Sequence, residues 1–445
     1  MRNPSVPGRN EGPRYALIVL DGLGDRPNPA TGGVSPVEAA KTPFLDRLAS
    51  RGEVGEVSIL GPGVAPESDA GVLALLGYDP IHDSPGRGVL EALGVEIPLR
   101  AGDVALRVNF ATIDPTGRVL DARVGRSLTT EEATRLAHAV TAADLLSDAG
   151  IRAEVRATVG HRGVLWLQRK SGPELSPNVS NADPFYEKVG GMGQARRPAE
   201  PRLEAVEPLD GTPEAARTAR ALNLFLERLP RVLANHPVNA HRRTKQEKEA
   251  TGLLLRNAGC LPRPGPEKFA ERYGLAGAAL TEMPVERGIA RLLGLEDRFV
   301  GPMGGDHDAG YRTRALGTRD LLRSFPFVYV HLKGPDEPGH DGDAARKRAV
   351  VEEIDHSFFG SFLENLDLEE VRVTVTADHA TPAILRGHSD DPVPWLLAGG
   401  EPRQGSRARP IKFGAPIPSS GRGGPIPASE VLPRLFAQRP PAPRR

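Results

Sequence analysis

Six acidic and imidazole side chains follow three short apolar runs that are widely separated in the chain. The runs are YALIVLDG at 15–22, FVYVHLKG at 327–334 and VRVTVTADH at 371–379, and the side chains are Asp21, Asp336, His340, Asp378, His379 and His388. Because the carboxyl ends of strands in an open α/β sheet form one ligand-binding edge, we expect these side chains to meet there. Carboxylates and imidazoles without thiolates suit manganese, magnesium, zinc or iron. The pattern therefore predicts a two-metal centre of the kind that transfers phosphoryl groups.

The spacing of these residues suggests how they are shared between ions. Asp336 and His340 are four residues apart, so one tight turn or first helical turn can hold both on one ion, and His388 could complete that set. Asp378 and His379 are neighbours at a strand end and point in opposite directions, so they can reach different ions. Each pair, and Asp21 before a glycine, also fits an ordinary turn. The coincidence of six ligands favours the metal centre.

A candidate nucleophile, Ser68, lies in the segment GPGVAPESDAGVLALLGYDP at 61–80. The apolar residues after it predict a helix that Ser68 caps at the N-terminus and that Gly77 ends. The two roles are compatible, because a helix N-terminus stabilises a phosphate through its N–H groups and its dipole. A serine hydroxyl attacks poorly until a base or a metal lowers its pKa, so Ser68 requires an ion from the predicted centre.

The composition is consistent with a cytoplasmic enzyme. The 57 basic residues balance 57 acidic ones, so the zero net charge gives no general attraction to nucleic acid or anionic membranes. The single cysteine excludes an internal disulfide and indicates a reducing compartment. We find neither an apolar run of the roughly 20 residues that span a membrane nor a signal-peptide core. The expected partner is a small-molecule substrate, with no nucleic acid and no membrane.

Strand-like and helical runs alternate at both ends of the chain. A helix is predicted at 36–50 after the first strand, and helices at 284–294, 313–324 and 343–364 flank the strands at 327 and 371. This alternation predicts one discontinuous α/β domain, formed by 15–95 and 251–437.

The middle of the chain has an α+β pattern. Segment 103–126 alternates apolar and polar residues around the turn DPTG, which predicts a hairpin, and a helix at 130–149 and two further strands follow. An inserted α+β domain is expected at 96–250, with an exposed Gly/Pro-rich loop at 188–213. Flexible tails are expected at 1–14 and 438–445.

Several motifs resemble those of the archaeal-type 2,3-bisphosphoglycerate-independent phosphoglycerate mutases, within the alkaline phosphatase superfamily. The motifs are LDGLGDRP at 20–27, VEAAKTPFLDRLA at 37–49, PGVAPESDAGVLALLGYDP at 62–80, RVNFATID at 107–114, HPVN at 236–239, HLKGPDEPGHDGD at 331–343, ADHATP at 377–382 and HSDDPVP at 388–394. They span nearly the whole chain outside its tails. The KGPDEPGHDGD motif, followed by the DH and HSDDPVP motifs, is highly specific.

The resemblance implies an alkaline-phosphatase-like α/β sheet with helices on both faces, plus a smaller inserted α+β domain that holds the rest of the substrate. It assigns Asp21, Ser68, Asp378 and His379 to one divalent ion and Asp336, His340 and His388 to the other, with manganese favoured over magnesium, cobalt or zinc. It also implies that Ser68 takes the phosphoryl group of 3-phosphoglycerate and returns it to the 2-hydroxyl of the enclosed glycerate, without 2,3-bisphosphoglycerate. This isomerisation belongs to glycolysis and gluconeogenesis. Relatives are sometimes oligomeric, so a homo-oligomer is also possible.

A substrate with a carboxylate and a phosphate requires cationic donors. The candidates are Arg123, Arg126, Arg162, Arg256 and Lys333, with His161 as a proton shuttle or a turn residue. Each arginine has a solvated surface role as its alternative. Where relatives have a lysine in a PLVKG-like stretch, this chain has MPVERG, so Arg287 is a further candidate and its forked guanidinium would replace a point charge.

Two other functions stay open at this stage. A metal-dependent phosphatase or another phosphomutase would use the same metal core on a different small phosphorylated substrate. A catalytically silent metal-binding or regulatory protein is the third possibility, and the presence of Ser68 with all six other ligands argues against it.

Overall fold

The structure, a computed structural model, describes residues 12–189, 192–196, 198–400, 411–415 and 424–437. The chain divides into two compact units, which we call the first unit (Met1–Pro80 with Glu267–Arg445) and the second unit (Ile81–Pro266). The second unit therefore extends beyond the expected insertion, 96–250, at both ends. Most of the predicted N-terminal tail and all of the C-terminal one lie outside the described residues, but Arg14 already begins a strand.

The strands are β1 (Arg14–Leu20), β2 (Glu53–Ser58), β3 (Val104–Ile113), β4 (Val119–Asp121), β5 (Ile151–Ala157), β6 (Arg162–Arg169), β7 (Tyr186–Val189), β8 (Met192–Ala195), β9 (Gly252–Gly259), β10 (Gly277–Thr281), β11 (Glu296–Phe299), β12 (Phe327–Leu332), β13 (Val371–Thr376), β14 (Val393–Ala398) and β15 (Ile426–Pro427). The helices are α1 (Pro36–Ala39), α2 (Pro43–Ala49), α3 (Ser68–Leu75), α4 (Arg87–Gly94), α5 (Thr130–Ala142), α6 (Pro213–Leu233), α7 (Pro237–Thr244), α8 (Phe269–Tyr273), α9 (Pro284–Leu293), α10 (His307–Ser324), α11 (Asp336–Asp341), α12 (Ala344–Ile354), α13 (Gly360–Phe362) and α14 (Val431–Phe436).

The first unit contains an eight-stranded sheet in the order β11-β10-β12-β1-β13-β14-β2-β15. Strand β1 lies parallel to both β12 and β13, with Ile18 opposite Val330 on one side and Val375 on the other. These strands are continuous apolar runs because parallel strands are buried on both faces. Their common direction brings the residues after Leu20, Leu332 and Thr376 to one edge of the sheet.

Helices cover both faces of this sheet. The connection from β10 through α9 to β11 moves toward one edge of the sheet, and the connection from β12 through α12 to β13 moves toward the other. Because parallel crossovers are right-handed, connections in opposite directions place their helices on opposite faces. The predicted fold class is confirmed: an α/β sheet covered on both faces, plus an α+β unit.

Several predicted helices differ from the observed ones. The helix predicted at 36–50 is two helices, because Pro43 lacks an N–H group and disfavours helical geometry at Thr42, where φ is −125° and ψ is 60°. Helix α10 begins six residues before the predicted start at 313, where Asp306 accepts a hydrogen bond from the N–H of Ala309. The helix predicted at 343–364 contains a π-helical turn at Asp355–Phe359.

The second unit is built on an antiparallel sheet in the order β4-β3-β6-β5, with β9 also paired to β3. The predicted hairpin is confirmed by the β3–β4 pair. The main core lies on one face, where Val108 and Leu253 pack with Leu136 of α5 and Phe225 of α6.

The other face of this sheet carries α4, and both ends of the second unit extend past the expected boundaries for that reason. Val89 and Ala92 pack against Ala105 and Trp166, and β9 contributes a complete strand to the sheet. Segments 81–95 and 251–266 therefore belong to the second unit.

The helix predicted at 130–149 ends as an α-helix at Ala142 and is followed by a 3₁₀ turn at Ser147–Ala149. The predicted loop at 188–213 includes most of a short hairpin, β7–β8. Across the described ranges of both units, no helix combines the length and the apolar character that a membrane crossing requires.

Candidate active site

The first group of ligand-type side chains consists of Asp21, Asp378 and His379. One potential ligand atom of each lies within 4.8 Å of the others, and all three residues are buried. His379 Nε2 is 3.4 Å from Asp21 Oδ1 and 3.5 Å from Asp378 Oδ2. Asp378 Oδ1 also accepts a hydrogen bond from the N–H of Gly22, at 3.1 Å, so the ends of β1 and β13 are joined at this point. The opposite directions of adjacent strand residues allowed Asp378 and His379 to reach different ions, whereas the family resemblance assigned both to one ion, and the structure places both in one group.

The second group consists of Asp336, His340 and His388, which likewise lie within 4.8 Å of one another. Asp336 Oδ1 is 3.5 Å from Nε2 of His340 and 3.5 Å from Nε2 of His388. Helix α11 holds Asp336 and His340 one turn apart, as the four-residue spacing predicted. The groups are adjacent, because the rings of His379 and His388 stack with their centroids 3.8 Å apart.

Ser68 lies beside the first group. Its Oγ is 3.3 Å from His379 Nε2. The predicted capping role is wrong: the N-cap of α3 is Glu67, and Ser68 is the first helical residue. The predicted stop is confirmed, since Gly77 follows the C-cap with φ of 78°.

Helix α3 lies close to Asp378, just beyond the end of β13, and this contact fixes the position of Ser68. A Cβ added at Gly71 would lie 2.1 Å from the carbonyl oxygen of Asp378, so only glycine permits this approach. The hydroxyl of Ser68 is therefore presented at the helix N-terminus, where first-turn N–H groups have no helical partner.

The first group has a strongly negative environment. Burial opposes ionisation of Asp21, but Lys333 and His379 outweigh it and lower the pKa of this carboxyl well below its usual range. Burial likewise opposes the charged form of His379, but Asp378, Asp21 and Asp336 outweigh it and raise the pKa of this imidazole to about 9. Such a group attracts a cation, and a metal that binds there displaces protons.

The donor set fits divalent metal ions. Asp21 Oδ1 is buried and has no hydrogen-bond partner within the described ranges. His388 Nδ1 is 2.8 Å from the carbonyl oxygen of Pro66, which can only accept, so Nδ1 carries a proton and Nε2 is the ring nitrogen that faces the group. Nε2 of His340 faces Nε2 of His388 at 3.2 Å. Three carboxylates and three imidazoles with Nε2 directed inward suit manganese, zinc or a similar ion.

Lys333 is held next to the first group. Its Nζ lies 3.0 Å from Asp21 Oδ2 and 2.7 Å from Glu286 Oε1. Burial favours the neutral amine, but Asp21 and Glu286 outweigh it and raise the pKa of Lys333 above its usual range. His331 Nε2 is 3.2 Å from Asp378 Oδ2 on the buried side of the group. The structure thus adds Glu286 and His331 to the residues around the centre.

A second cluster of charged residues lies in the second unit. Arg107 and Arg256 are directly opposite each other on β3 and β9, and both are buried. Arg107 contacts Glu91 at 3.4 Å, and Arg256 contacts Asp183 at 3.6 Å and stacks over the ring of Tyr186. Burial and the neighbouring Arg87 lower the pKa of Arg107 to about 9.

This cluster, which we call the arginine cluster, consists of Arg87, Arg107, Arg162 and Arg256. Three of its buried donor atoms have no hydrogen-bond partner in the described part of the chain: Arg107 Nε, Arg162 Nε and Arg256 Nη1. Among the described residues, Glu91 and Asp183 are buried carboxylates that contact Arg107 and Arg256, and the three donor atoms remain without a hydrogen bond. Such a cluster suits a small anion with several oxygens.

His161 and the exposed Arg123 and Arg126 belong to the same electrostatic environment. Burial and the charges of Arg162, Arg123, Arg107 and Arg126 lower the pKa of His161 to about 3. The imidazole is therefore neutral near pH 7, and its role as a proton shuttle or a turn residue stays a prediction. Val124 and Arg126 have φ of 51° and 57°, a strained conformation that often occurs where a loop has a binding role.

Arg287 lies in a salt bridge and against an aromatic ring at the edge of the sheet. Its Nε lies 2.7 Å from Asp297 Oδ2, and its guanidinium lies over the ring of Phe299. The preceding residue of α9, Glu286, reaches Lys333 instead. The departure from the family pattern at Arg287 therefore coincides with a salt bridge at the edge strand β11.

Sequence reasoning missed Arg107 and His331, although each had a visible signal. Arg107 is a lone cation in the apolar stretch VALRVNF, and His331 is a lone imidazole in FVYVHL. A polar residue inside a buried strand requires a partner, so each position indicates a polar site. Glu286 and Asp183 gave no comparable signal, because their partners Lys333 and Arg256 are distant in sequence.

Comparisons with known proteins identify similar sequences. The sequence model of the 2,3-bisphosphoglycerate-independent phosphoglycerate mutase family matches residues 49–239. The mutase of that name from Aeropyrum pernix is 45% identical over 416 residues, which cover 93% of this chain and 96% of the relative. A Methanocaldococcus jannaschii mutase of that type is 37% identical over 386 residues, covering 87% of this chain and 88% of the relative.

Two solved structures have similar folds. A cofactor-independent phosphoglycerate mutase from Thermoplasma acidophilum has a TM-score of 0.60 and 31% identity, covering 95% of this chain and 98% of its own. A protein from Pyrococcus horikoshii has a TM-score of 0.72 and 29% identity, covering 95% of this chain and 96% of its own. The similarity thus extends over both units.

Proposed function

Because this chain belongs to the 2,3-bisphosphoglycerate-independent phosphoglycerate mutases, we propose that it interconverts 3-phosphoglycerate and 2-phosphoglycerate through a phosphorylated Ser68. The observation that carries this proposal is the position of Ser68 Oγ, 3.3 Å from His379 Nε2 and next to two adjacent groups of metal-ligand residues. A nucleophile beside two cation-binding groups is the arrangement that phosphoryl transfer requires.

The two groups would hold two divalent ions, with manganese the first candidate. Asp21, Ser68, Asp378 and His379 would bind one, and Asp336, His340 and His388 the other. Bound ions would polarise the phosphoryl oxygens and lower the pKa of the Ser68 hydroxyl. This assignment is supported by the inward-facing Nε2 atoms and by the unpartnered Oδ1 of Asp21.

The chain's own residues account for the two transfer steps. Ser68 Oγ attacks the phosphorus of 3-phosphoglycerate, the bond from phosphorus to the 3-oxygen breaks, and the proton lost by Ser68 ends on that oxygen. The 2-hydroxyl then attacks the phosphoserine, the bond from phosphorus to Oγ breaks, and Ser68 regains a proton. Lys333, charged at neutral pH, would orient the phosphoryl group from its position beside Asp21.

The arginine cluster would bind the anionic remainder of the substrate. Arg107 and Arg162 each offer a buried Nε without a hydrogen bond, and Arg256 adds Nη1, which lies 3.6 Å from Asp183 Oδ2 in an ion pair. A carboxylate or a phosphate accepts such donors in pairs. Arg123, Arg126 and the neutral His161 would complete this site.

The test is phosphorus NMR of 3-phosphoglycerate with purified protein and Mn²⁺, without 2,3-bisphosphoglycerate. We expect 2-phosphoglycerate to accumulate without free phosphate, and acid-quenched protein to carry phosphate on Ser68 by mass spectrometry. Free phosphate as the main product would instead identify a phosphatase.

Labelled glycerate added to the reaction is not expected to enter the product, because one glycerate molecule remains bound throughout. Incorporation of the label would contradict the retained-glycerate mechanism.

A further inference from the structure

We propose that Thr381 is a positioning residue that couples the two ligand groups of the first unit. Its hydroxyl contacts one residue of each group, Asp336 and His379. This inference rests on the proposed two-ion function and deepens it, since it concerns how the ligands of the two ions are held together.

The hydrogen-bond pattern at Thr381 fixes the orientation of His379. The hydroxyl donates to Asp336 Oδ1 at 2.7 Å, which uses its only proton. His379 Nδ1 lies 3.0 Å from the same oxygen, so Nδ1 must be the donor in that contact. The neutral ring then carries its proton on Nδ1 and directs Nε2 toward Ser68 and Asp21. The hydroxyl of Thr381 therefore holds the carboxylate of Asp336 in the second group and selects the tautomer of His379 in the first group.

The backbone of Thr381 is itself held firmly. Its carbonyl accepts a hydrogen bond from the fully buried Lys347 Nζ at 2.9 Å, and its N–H donates to the carbonyl of Gly24 at 3.0 Å. Lys347 also donates to Gly24 and forms an ion pair with Asp25 at 2.9 Å. A Cβ at Gly339 would lie 2.4 Å from the carbonyl oxygen of Thr381. Thr381 thus has little freedom to move away from the ligands it contacts.

A shared hydrogen-bond partner links the energetics of the two groups. If Asp336 moves, the hydroxyl of Thr381 must reorient to keep its hydrogen bond, and the contact between this hydroxyl and His379 Nδ1 changes as well. Partners that orient metal ligands typically contribute about 10–100-fold to metal affinity. We therefore expect Thr381 to affect both ions, although it provides a ligand atom to neither.

The experiment is calorimetric titration of metal-stripped full-length protein with Mn²⁺, applied to the parent, Thr381→Val and Thr381→Ser. Valine keeps the shape and removes the hydroxyl, so both affinities should fall about 10–100-fold. Serine keeps the hydroxyl and should restore parental affinities. The matched control is Thr374→Val, because Thr374 is equally buried and its hydroxyl also donates once, to Leu396, and accepts once, from Trp395, away from the ligands. Its affinities should match those of the parent.

Coupling is measured by combining Thr381→Val with Asp336→Asn. If Thr381 links the groups, the two effects on the ion of the first group should be non-additive by more than about threefold. Additive effects, or parental affinities in Thr381→Val, would overturn the proposal while the two-ion function stands. A parent protein that binds no Mn²⁺ would overturn both this inference and the proposed function.

A measurement that does not use Thr381→Val covers the case in which that variant does not fold. Nitrogen-15 NMR of histidine-labelled, Mg²⁺-loaded protein reports which ring nitrogen carries a proton, and the His379 signal is assigned by its loss in His379→Gln. We expect a proton on Nδ1. A proton on Nε2 would overturn the proposal.

Discussion

The charged groups of the two units differ in sign and in the kind of buried atom left without a partner. In the first unit, three carboxylates lie among three imidazoles, and the orphaned atom of Asp21 is an acceptor. In the described part of the second unit, four guanidinium groups lie near the carboxylates of Glu91 and Asp183, and the buried atoms of Arg107, Arg162 and Arg256 that make no hydrogen bond are donors. Since a buried polar atom without a partner is costly, each group favours a ligand of the opposite charge.

Two histidines show how strongly these environments act. The carboxylates of the first unit offset the effect of burial and raise the pKa of His379 to about 9. Burial and the arginines of the second unit lower the pKa of His161 to about 3. A histidine side chain therefore binds a proton more tightly than usual at His379 and less tightly than usual at His161. Neighbouring charge, and not residue type alone, decides whether an imidazole here attracts a cation or remains a neutral hydrogen-bonding group.

The largest effect is expected from Ser68→Ala, which removes the reacting atom and leaves both charged groups intact. Turnover of 3-phosphoglycerate should fall about 10⁵-fold or more, because no other group replaces the nucleophile. Binding of two Mn²⁺ ions should persist with reduced affinity for one of them. Ser50→Ala, at the end of α2 in the same unit, is the control and should retain full activity. Substantial activity in Ser68→Ala would remove the phosphoserine from the mechanism.

The next effect is expected from Asp336→Asn, which weakens the negative group without changing its shape. We expect the protein to bind one ion fewer and kcat to fall about 10³-fold, because ions contribute several kcal/mol of transition-state stabilisation. Metal content by mass spectrometry and steady-state kinetics measure both. Asp320→Asn, a surface carboxylate paired with Arg298, should change neither quantity. Two bound ions and parental turnover in Asp336→Asn would rule out the assigned role of Asp336.

A smaller effect is expected from Arg256→Gln, which removes one positive charge from the arginine cluster. KM for 3-phosphoglycerate should rise about 10–100-fold with kcat little changed, as expected for the loss of a charge-assisted hydrogen bond. Arg243→Gln serves as the control, because Arg243 is an exposed cation of the same unit paired with Glu249. If the variant instead loses kcat at unchanged KM, the arginine cluster does not act by ground-state binding.

The smallest effect is expected in the pH dependence that His161 contributes. Because its pKa is lowered to about 3, His161 stays neutral as the pH falls from 8 to 5, whereas an ordinary histidine would gain a proton in that range. Profiles of kcat/KM for the parent and His161→Gln should therefore have the same shape between pH 5 and 8. A change of kcat/KM near pH 6.5 that is present in the parent and absent in the variant would contradict this expectation and favour the proton-shuttle role.

The residues of the two groups of ligand-type side chains could be predicted from sequence, because carboxylates and imidazoles that follow apolar runs indicate a ligand site at strand ends. Asp21, Asp378 and His379 each follow a strand, and strand ends in such a sheet share an edge. The family resemblance implied one set for Asp21, Asp378 and His379, and the structure brings these residues together. The alternation of adjacent strand residues also allowed separate ions for Asp378 and His379, but both lie beyond Thr376, where β13 ends and that alternation no longer applies.

Boundaries depended on contacts between distant segments. Helix α4 and strand β9 flank the predicted insertion, and their own patterns do not reveal that they pack on β3. Helix α3 begins at Ser68 and not after it, because Glu67 occupies the cap.

The sequence by itself determined the candidate chemistry of the first unit: the ligand-type residues, the proposed nucleophile and the strands that carry them, since these are local properties of composition and spacing. Only the tertiary structure decided that Thr381 contacts both groups and that Arg107 and Arg256 lie opposite each other. It also decided the opposite pKa values of His379 and His161. These features depend on distances between residues far apart in the chain, and electrostatic and hydrogen-bond energies depend on distance and burial, which local sequence does not specify.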